Sequence, residues 1–262
     1  MARRSHPALV AFAVLVYIFL LGPLVIVAGT AFSDTQFLAF PPQGFTGRWF
    51  ANVFEVSAFR ETFWISLQVA VFGTLLSLLL GIPAAYALSR YRNQVTKAFA
   101  NFFVLPILVP EIVFGFSVLN SMSVGLDLPI FTTLLLGHMI IVLPYSVRVV
   151  SASLANFDYS IEEAAVSLGS NRLKTFFTIV LPNIRSGIIA AFILAFITSL
   201  NNVPVSLFLT GPGISTLPIQ MLTYVENFFD PTVAALSVML MSFTVVVMVA
   251  IERTLGLSYF AR

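Results

Sequence analysis

Cysteine does not occur in the 262 residues, and histidine occurs only as His6 and His138. The first absence removes disulfide frameworks, thiolate metal sites and cysteine nucleophiles together. The second leaves no imidazole set to hold a catalytic metal, so neither a metal nor a catalytic constellation is expected. A Gly-x-x-x-x-Gly-Lys-Ser/Thr phosphate loop is also missing, so the chain has no such means of holding ATP. Charge is scarce as well: Asp, Glu, Lys and Arg make up 9% of the residues, where a soluble domain carries about a quarter. What is present is apolar. Hydrophobic residues are 59% of the chain, the mean hydropathy is +1.00, and 27 phenylalanines outnumber the 13 basic and 11 acidic residues combined. There is too little polar surface to cover a water-soluble globule, which excludes a soluble enzyme, a nucleic-acid reader and a disordered scaffold. The fold class expected is an all-α polytopic protein whose surroundings are membrane lipid.

A bilayer core roughly 30 Å thick needs about 20 apolar helical residues. Charge-free runs of that length cover 7–33, 62–89, 128–147 and 231–251, and 98–126 is interrupted only by Glu111. Residues 186–225 are too long for one span, and Thr210-Gly211-Pro212-Gly213 breaks them as a turn, so the fifth helix is expected to end near Leu209. Six transmembrane helices in a single domain, 1–262, follow. The first run is longer than a signal peptide and no small-residue cleavage site follows it. Eleven of the thirteen Lys/Arg fall in the amino terminus, 89–98, 148–185 and the carboxyl terminus, while the opposite segments hold Arg48 and Arg60 beside six acids. The positive-inside rule makes the first set cytoplasmic, with both termini on that side.

The longest cytoplasmic loop contains a short helix signal from Ser160 to Gly169. Ser160 and Glu163 have capping-box spacing, Glu162 and Glu163 fall in the first turn, and Gly169 suits the terminating position. Ile161, Ala164, Ala165 and Leu168 lie at i, i+3, i+4 and i+7 and form one narrow apolar face. A helix this short needs something to pack on. The physics leaves open whether that is the protein's own membrane helices or a partner's groove.

Glu163-Ala164-Ala165, three residues, Gly169, nine residues, Ile179, one residue and Leu181-Pro182 resemble the EAA motif at every specified position. That motif marks permease subunits of binding-protein-dependent ABC importers. The resemblance implies a type I importer permease of a bacterial inner membrane, in which loop 158–182 carries the coupling helix. Glu162, Glu163, Ala164, Ala165, Leu168 and Gly169 would form that contact with a cytoplasmic ATPase, Glu163 either capping the helix or pairing with a basic ATPase group. The implied partners are a second, distinct permease, two ATPase subunits carrying the ATP and magnesium, and an extracytoplasmic solute-binding protein. No cofactor is implied on this chain. Phe40-Pro41-Pro42-Gln43-Gly44-Phe45-Thr46 with Arg48-Trp49-Phe50, Gly137-His138 with Leu143-Pro144, and Gly211-Pro212 with Leu217-Pro218 look like the spermidine/putrescine-type group.

Polar residues at membrane depth are costly and mark candidate translocation positions. Counted at 1.5 Å per residue, Glu111 lies roughly 20 Å into its span, Asn201 and Asn202 roughly 24 Å, and His138 roughly 15 Å. Ser199 and Ser206 share a helical face with Asn202. Each position has a plainer role: Glu111 protonated or bonded to backbone freed by Pro110, His138 bonding across to a neighbouring helix, and the asparagines joining helices. Where similar polyamine permeases commonly carry acids, this chain has Asn201-Asn202, which leaves the solute open among polyamines, related amines and amino-acid-like or other small organic molecules. Trp49 and Trp64 are expected as interfacial anchors, and 217–228 as a short external helix. An ion-coupled transporter working without an ATPase is the alternative, and it calls for internal repeats that are not visible here.

Overall fold

The computed structural model describes residues 7–91 and 93–255. Arg3, Arg4, Arg92 and Arg262, which carry part of the charge argument, lie outside them, as does His6. Among the described residues the chain is helical and has no strand, with one isolated bridge between Gly211 and Ile214. The helices are α1 (Pro7–Ala31), α2 (Arg48–Glu55), α3 (Ser57–Arg90), α4 (Gln94–Leu108), α5 (Glu111–Val118), α6 (Ile130–Ala155), α7 (Tyr159–Ser167), α8 (Arg172–Thr175), α9 (Leu181–Asn183), α10 (Arg185–Leu200), α11 (Leu217–Asn227) and α12 (Thr232–Leu255). Two π-helical turns, Leu119–Val124 and Phe176–Val180, extend α5 and join α8 to α9. α1, α3, α6 and α12 are each long and apolar enough to cross a membrane, and two bent helix pairs complete the six spans.

The bends refine the expected spans. The third is not one rod: α4 and the helix starting at Glu111 meet at 97°. Val109 and Pro110 are both extended at the break, as expected where a proline ring crowds the residue before it. The fifth span bends by 71° at Ile184 and ends at Leu200, not at Leu209. Pro204 supplies no amide to continue it and Val203 is disfavoured as helix before a proline, so Asn201–Leu209 becomes a chain of turns.

The chain divides into two compact units. In the first, the described residues up to Arg60 with Gln220–Val246, the loop before α2 is held to that helix. Arg48 pairs with Asp34 at 3.2 Å and lies 4.6 Å from the centre of the Trp49 ring. Trp49 is only 8% exposed and its indole N–H donates to the Ser33 carbonyl at 2.8 Å. It is therefore an internal fastening and not an interfacial anchor; Trp64 is exposed as expected. α11 occupies the external segment predicted to be helical.

The second unit, Glu61–Ile219 with the described residues from Val247, holds the core. One cluster joins Val69, Val118, Leu134, Ile141, Ala195 and Leu209; a second, nearer loop 158–182, joins Leu78, Ala85, Val150, Val180 and Ile184. α6 lies along α10 through its centre. α5 approaches the turns after α10 at Gly115, where an added Cβ would stand 3.0 Å from the Val205 carbonyl oxygen and 3.1 Å from its Cα. Those atoms are backbone and cannot step aside as a side-chain tip can. Gly115→Ala is therefore expected to cost about 1–3 kcal/mol and to lower the apparent Tm by several degrees in a detergent thermal-shift assay. Gly47→Ala, with nothing within 4 Å of the new atom, should leave it unchanged.

Candidate functional site

The predicted cytoplasmic helix exists as α7, and its ends show how it is built. Its cap lies two residues earlier than the capping-box reading places it: Asp158 is the cap and accepts the Ser160 amide at 2.9 Å. That bond holds the Asp158 carboxyl below its ordinary pKa. Ser160 thus lies inside the first turn, and Glu163 does not cap but turns to the protein's own Arg90. At the other end Gly169 has φ +94°, donates to the Val166 carbonyl at 2.9 Å, and is followed by Ser170 donating to Ala165 at 3.1 Å. This is a Schellman ending, and it needs a residue free of a Cβ penalty.

The face that α7 turns inward is not its apolar one. Glu162 is 3% exposed, whereas Ile161 is 47% and Leu168 90% exposed, with Ala164 also outward and Ala165 half-buried. Glu162 Oε1 accepts the Tyr86 hydroxyl at 2.7 Å and lies 3.7 Å from Arg90 Nε. Arg90 also donates to Glu163 at 2.8 Å and sits 5.1 Å from the centre of the Tyr159 ring. Of the two ion pairs the one to Glu163 is the more exposed, so screening leaves it a small contribution. The one to Glu162 is buried, and losing Arg90 would strand a carboxylate out of water. Glu162 Oε2 has no hydrogen-bond partner. Tyr86 and Arg90 were not among the candidates, although their i, i+4 spacing at the cytoplasmic end of α3 places them on one face.

At membrane depth five of the six candidate positions form one hydrogen-bonded chain. Asn202 donates to Glu111 Oε2 at 2.9 Å, and its own side-chain oxygen accepts the Val205 amide at 3.0 Å. Ser206 donates to the Asn202 carbonyl at 2.8 Å and lies 3.0 Å from His138 Nε2; Ser199 lies 2.8 Å from Nδ1. A serine has one hydroxyl proton. Because Ser206 gives its proton to Asn202, it accepts from Nε2–H of His138, and in the neutral ring Nδ1 then accepts from Ser199. The assignment follows from the bonding pattern. Asn201 stands apart: it is exposed and donates to the Ile197 carbonyl at 3.0 Å. His138, 1% exposed, therefore fits its plainer reading as a cross-helix link between α6 and the end of α10, while Glu111 is half-buried at the start of α5. Among the described residues no group of three or more His, Cys, Asp or Glu is arranged to hold a metal ion.

Residues 77–254 match the family of binding-protein-dependent transport system inner membrane components. The chain is 30% identical over 232 residues to the putrescine transport system permease protein PotI of Escherichia coli, a match covering 86% of this chain and 82% of that one. It is 30% identical over 236 residues to the spermidine/putrescine transport system permease protein PotC of the same species, covering 90% and 89%. It is also 28% identical over 243 residues to a candidate 2-aminoethylphosphonate transport system permease protein, PhnV, of Salmonella paratyphi A, covering 92% and 91%. Among solved structures, a bacterial ABC transporter importing the acidic polysaccharide alginate aligns over 99% of both chains with TM-score 0.67 at 19% identity, a likeness of fold. These relatives are transport permeases and not enzymes, and they give the ion-coupled alternative no support. Carrying the EAA motif and matching the family model over 77–254, the chain belongs to the binding-protein-dependent inner membrane permease family and, within it, to the spermidine/putrescine-type group of ABC importer permeases.

Proposed function

We propose that α7 is the element through which an ATPase drives this permease, and that loop 158–182 serves as the coupling loop. The observation that carries this reading is the division of the helix into two faces. Glu162 and Tyr159 tie it to the chain's own α3, while Ile161, Ala164 and Leu168 remain outward with nothing among the described residues to cover them. An apolar face at a polar boundary invites a groove of matching character. Force applied to that face reaches α3 through the Tyr86 and Arg90 contacts, and through α3 the membrane core. ATP and magnesium belong on two partner ATPase subunits, and a second, distinct permease completes the pathway with solute delivered by an extracytoplasmic binding protein. The basic segments, and with them both termini, face the cytoplasm, in keeping with the charge asymmetry.

Glu111 and Asn202 are assigned to the translocation pathway, with Asn201 on its own exposed face. His138, Ser199 and Ser206 hold Asn202 in place from behind. Glu111 is the one carboxylate in the middle of a span, so a solute with an amine is the class it would attract, whether a polyamine or a zwitterion. The names of the relatives, for putrescine, spermidine and 2-aminoethylphosphonate, support this range.

Two measurements test the assignment. Leu168→Glu changes a side chain that supports nothing in the permease itself, so its folding should be unaffected. It should weaken co-purification of the ATPase roughly tenfold, the size of a moderate interface anchor, and Glu163→Lys should do the same or uncouple hydrolysis from uptake. Full uptake by both variants would sink the coupling assignment. At the second site, Glu111→Gln can still accept the Asn202 amide but carries no charge. Uptake and solute-stimulated ATP hydrolysis, measured in proteoliposomes with putrescine, spermidine and 2-aminoethylphosphonate, should fall at least tenfold while thermal stability holds; unchanged rates would remove Glu111 from the pathway.

A further inference from the structure

A groove of about 680 Å³ runs between α3 and the segment from α8 to α9. Eight of its eleven lining residues are apolar, among them Leu78, Leu79, Ile82 and Phe177, and its polar members, Tyr86, Tyr91 and Arg172, gather at one end. That end is the cytoplasmic end of α3. From Leu78 to Arg90 the helix rises roughly 18 Å, close to the ~15 Å half-thickness of a hydrocarbon core. The groove therefore extends from near the bilayer midplane to one interface, with its cation at the interface.

That cation is uncommitted. Arg90 is occupied by Glu162 and Glu163, but Arg172 is exposed and, among the described residues, its side chain bonds only to the Tyr91 hydroxyl, at 3.2 Å. Neither it nor Lys174 has an ion pair among the described residues. A small polar solute finds almost nothing to bond along the walls. A long apolar tail ending in a negative group matches both the walls and the end.

We propose that the groove is a site for an anionic glycerophospholipid of the cytoplasmic leaflet, one acyl chain lying between Leu79 and Phe177 and the headgroup phosphate on Arg172 and Tyr91. The leaflet rests on the orientation given under Proposed function. Tyr86 lines the groove and also bonds Glu162, so the bound chain would lie against the same tyrosine that anchors α7.

The test uses the permease complex as purified from membranes, placed in nanodiscs of phosphatidylcholine containing a small fraction of a photoactivatable lipid. Two probes carry the same diazirine on an acyl chain, one with a phosphatidylglycerol and one with a phosphatidylcholine headgroup. Peptides carrying Leu79 and Phe177 should be labelled about fivefold more by the phosphatidylglycerol probe, the factor expected of one basic side chain at an anionic headgroup. Arg172→Gln should abolish that preference, and Lys97→Gln should preserve it. The comparison of probes on the unmodified protein stands even if Arg172→Gln fails to assemble.

Equal labelling by the two probes would overturn the proposal. So would equally strong phosphatidylglycerol labelling of α1, which would indicate bulk lipid, and so would loss of the preference in Lys97→Gln. An absence of labelling by either probe, as a groove filled by protein would give, also overturns it. Both leaflets of a nanodisc have the same composition, so the result does not depend on orientation. Orientation is read separately, by which side of sealed vesicles labels a cysteine placed by Lys97→Cys.

Discussion

A hydrocarbon core offers no water to a broken helix, so every backbone group freed inside it needs a partner within the protein. That constraint organises this permease. Its third span breaks at Val109-Pro110 and its fifth stops at Leu200, and after Leu200 a side chain and tight turns take up what the helix releases. Asn202 accepts the Val205 amide, Ser206 covers the Asn202 carbonyl, and Leu207 and Leu209 turn back on Val203 and Ser206. α5 then closes over the turns at Gly115, burying the irregular backbone in protein instead of lipid.

The two polar sites obey one rule with different outcomes. Glu162, almost fully buried, is matched by a hydroxyl and a guanidinium; Glu111, half-buried, is matched by an amide alone. A buried ion pair contributes little net stability yet is expensive to break singly. Glu162 therefore serves to fix where α7 sits more than to stabilise the fold. An amide partner, by contrast, brings Glu111 no opposing charge.

Much of this architecture is legible in the sequence, and the parts that are not share a cause. The six spans and the α7 signal depend on composition and local spacing, which a linear reading measures directly. The Schellman ending is legible for the same reason, since Gly169 announces it. Arg90 is invisible in that way: its partners lie 72 and 73 positions away, and nothing local distinguishes it from another basic residue at a helix end. Glu163 looks like the partner in a capping box until Asp158, two residues before Ser160, is seen to be the cap. Asn201 and Asn202 look equivalent in the sequence, but one faces Ile197 and the other Glu111, a difference set by where the helix stops. Pro204 carries that information and is outweighed by the more conspicuous Gly-Pro-Gly further on. Interrupted spans, finally, do not by themselves mark an ion-coupled transporter, since this importer permease has two.

The chain of bonds from Ser199 to Glu111 has a direction, and two main-chain groups decide it. The Val205 amide has only one proton to give and cannot accept, so the Asn202 side-chain oxygen must face it and the amide nitrogen must face Glu111. Separately, the Asn202 main-chain carbonyl can only accept, so Ser206 must donate to it, and that forces the polarity back through His138 to Ser199. Turning the asparagine over would set two donors against one another at Val205 and leave two acceptors at Glu111. The side-chain network thus inherits its sense from the main chain, the one component that substitution leaves in place unless the newcomer is proline.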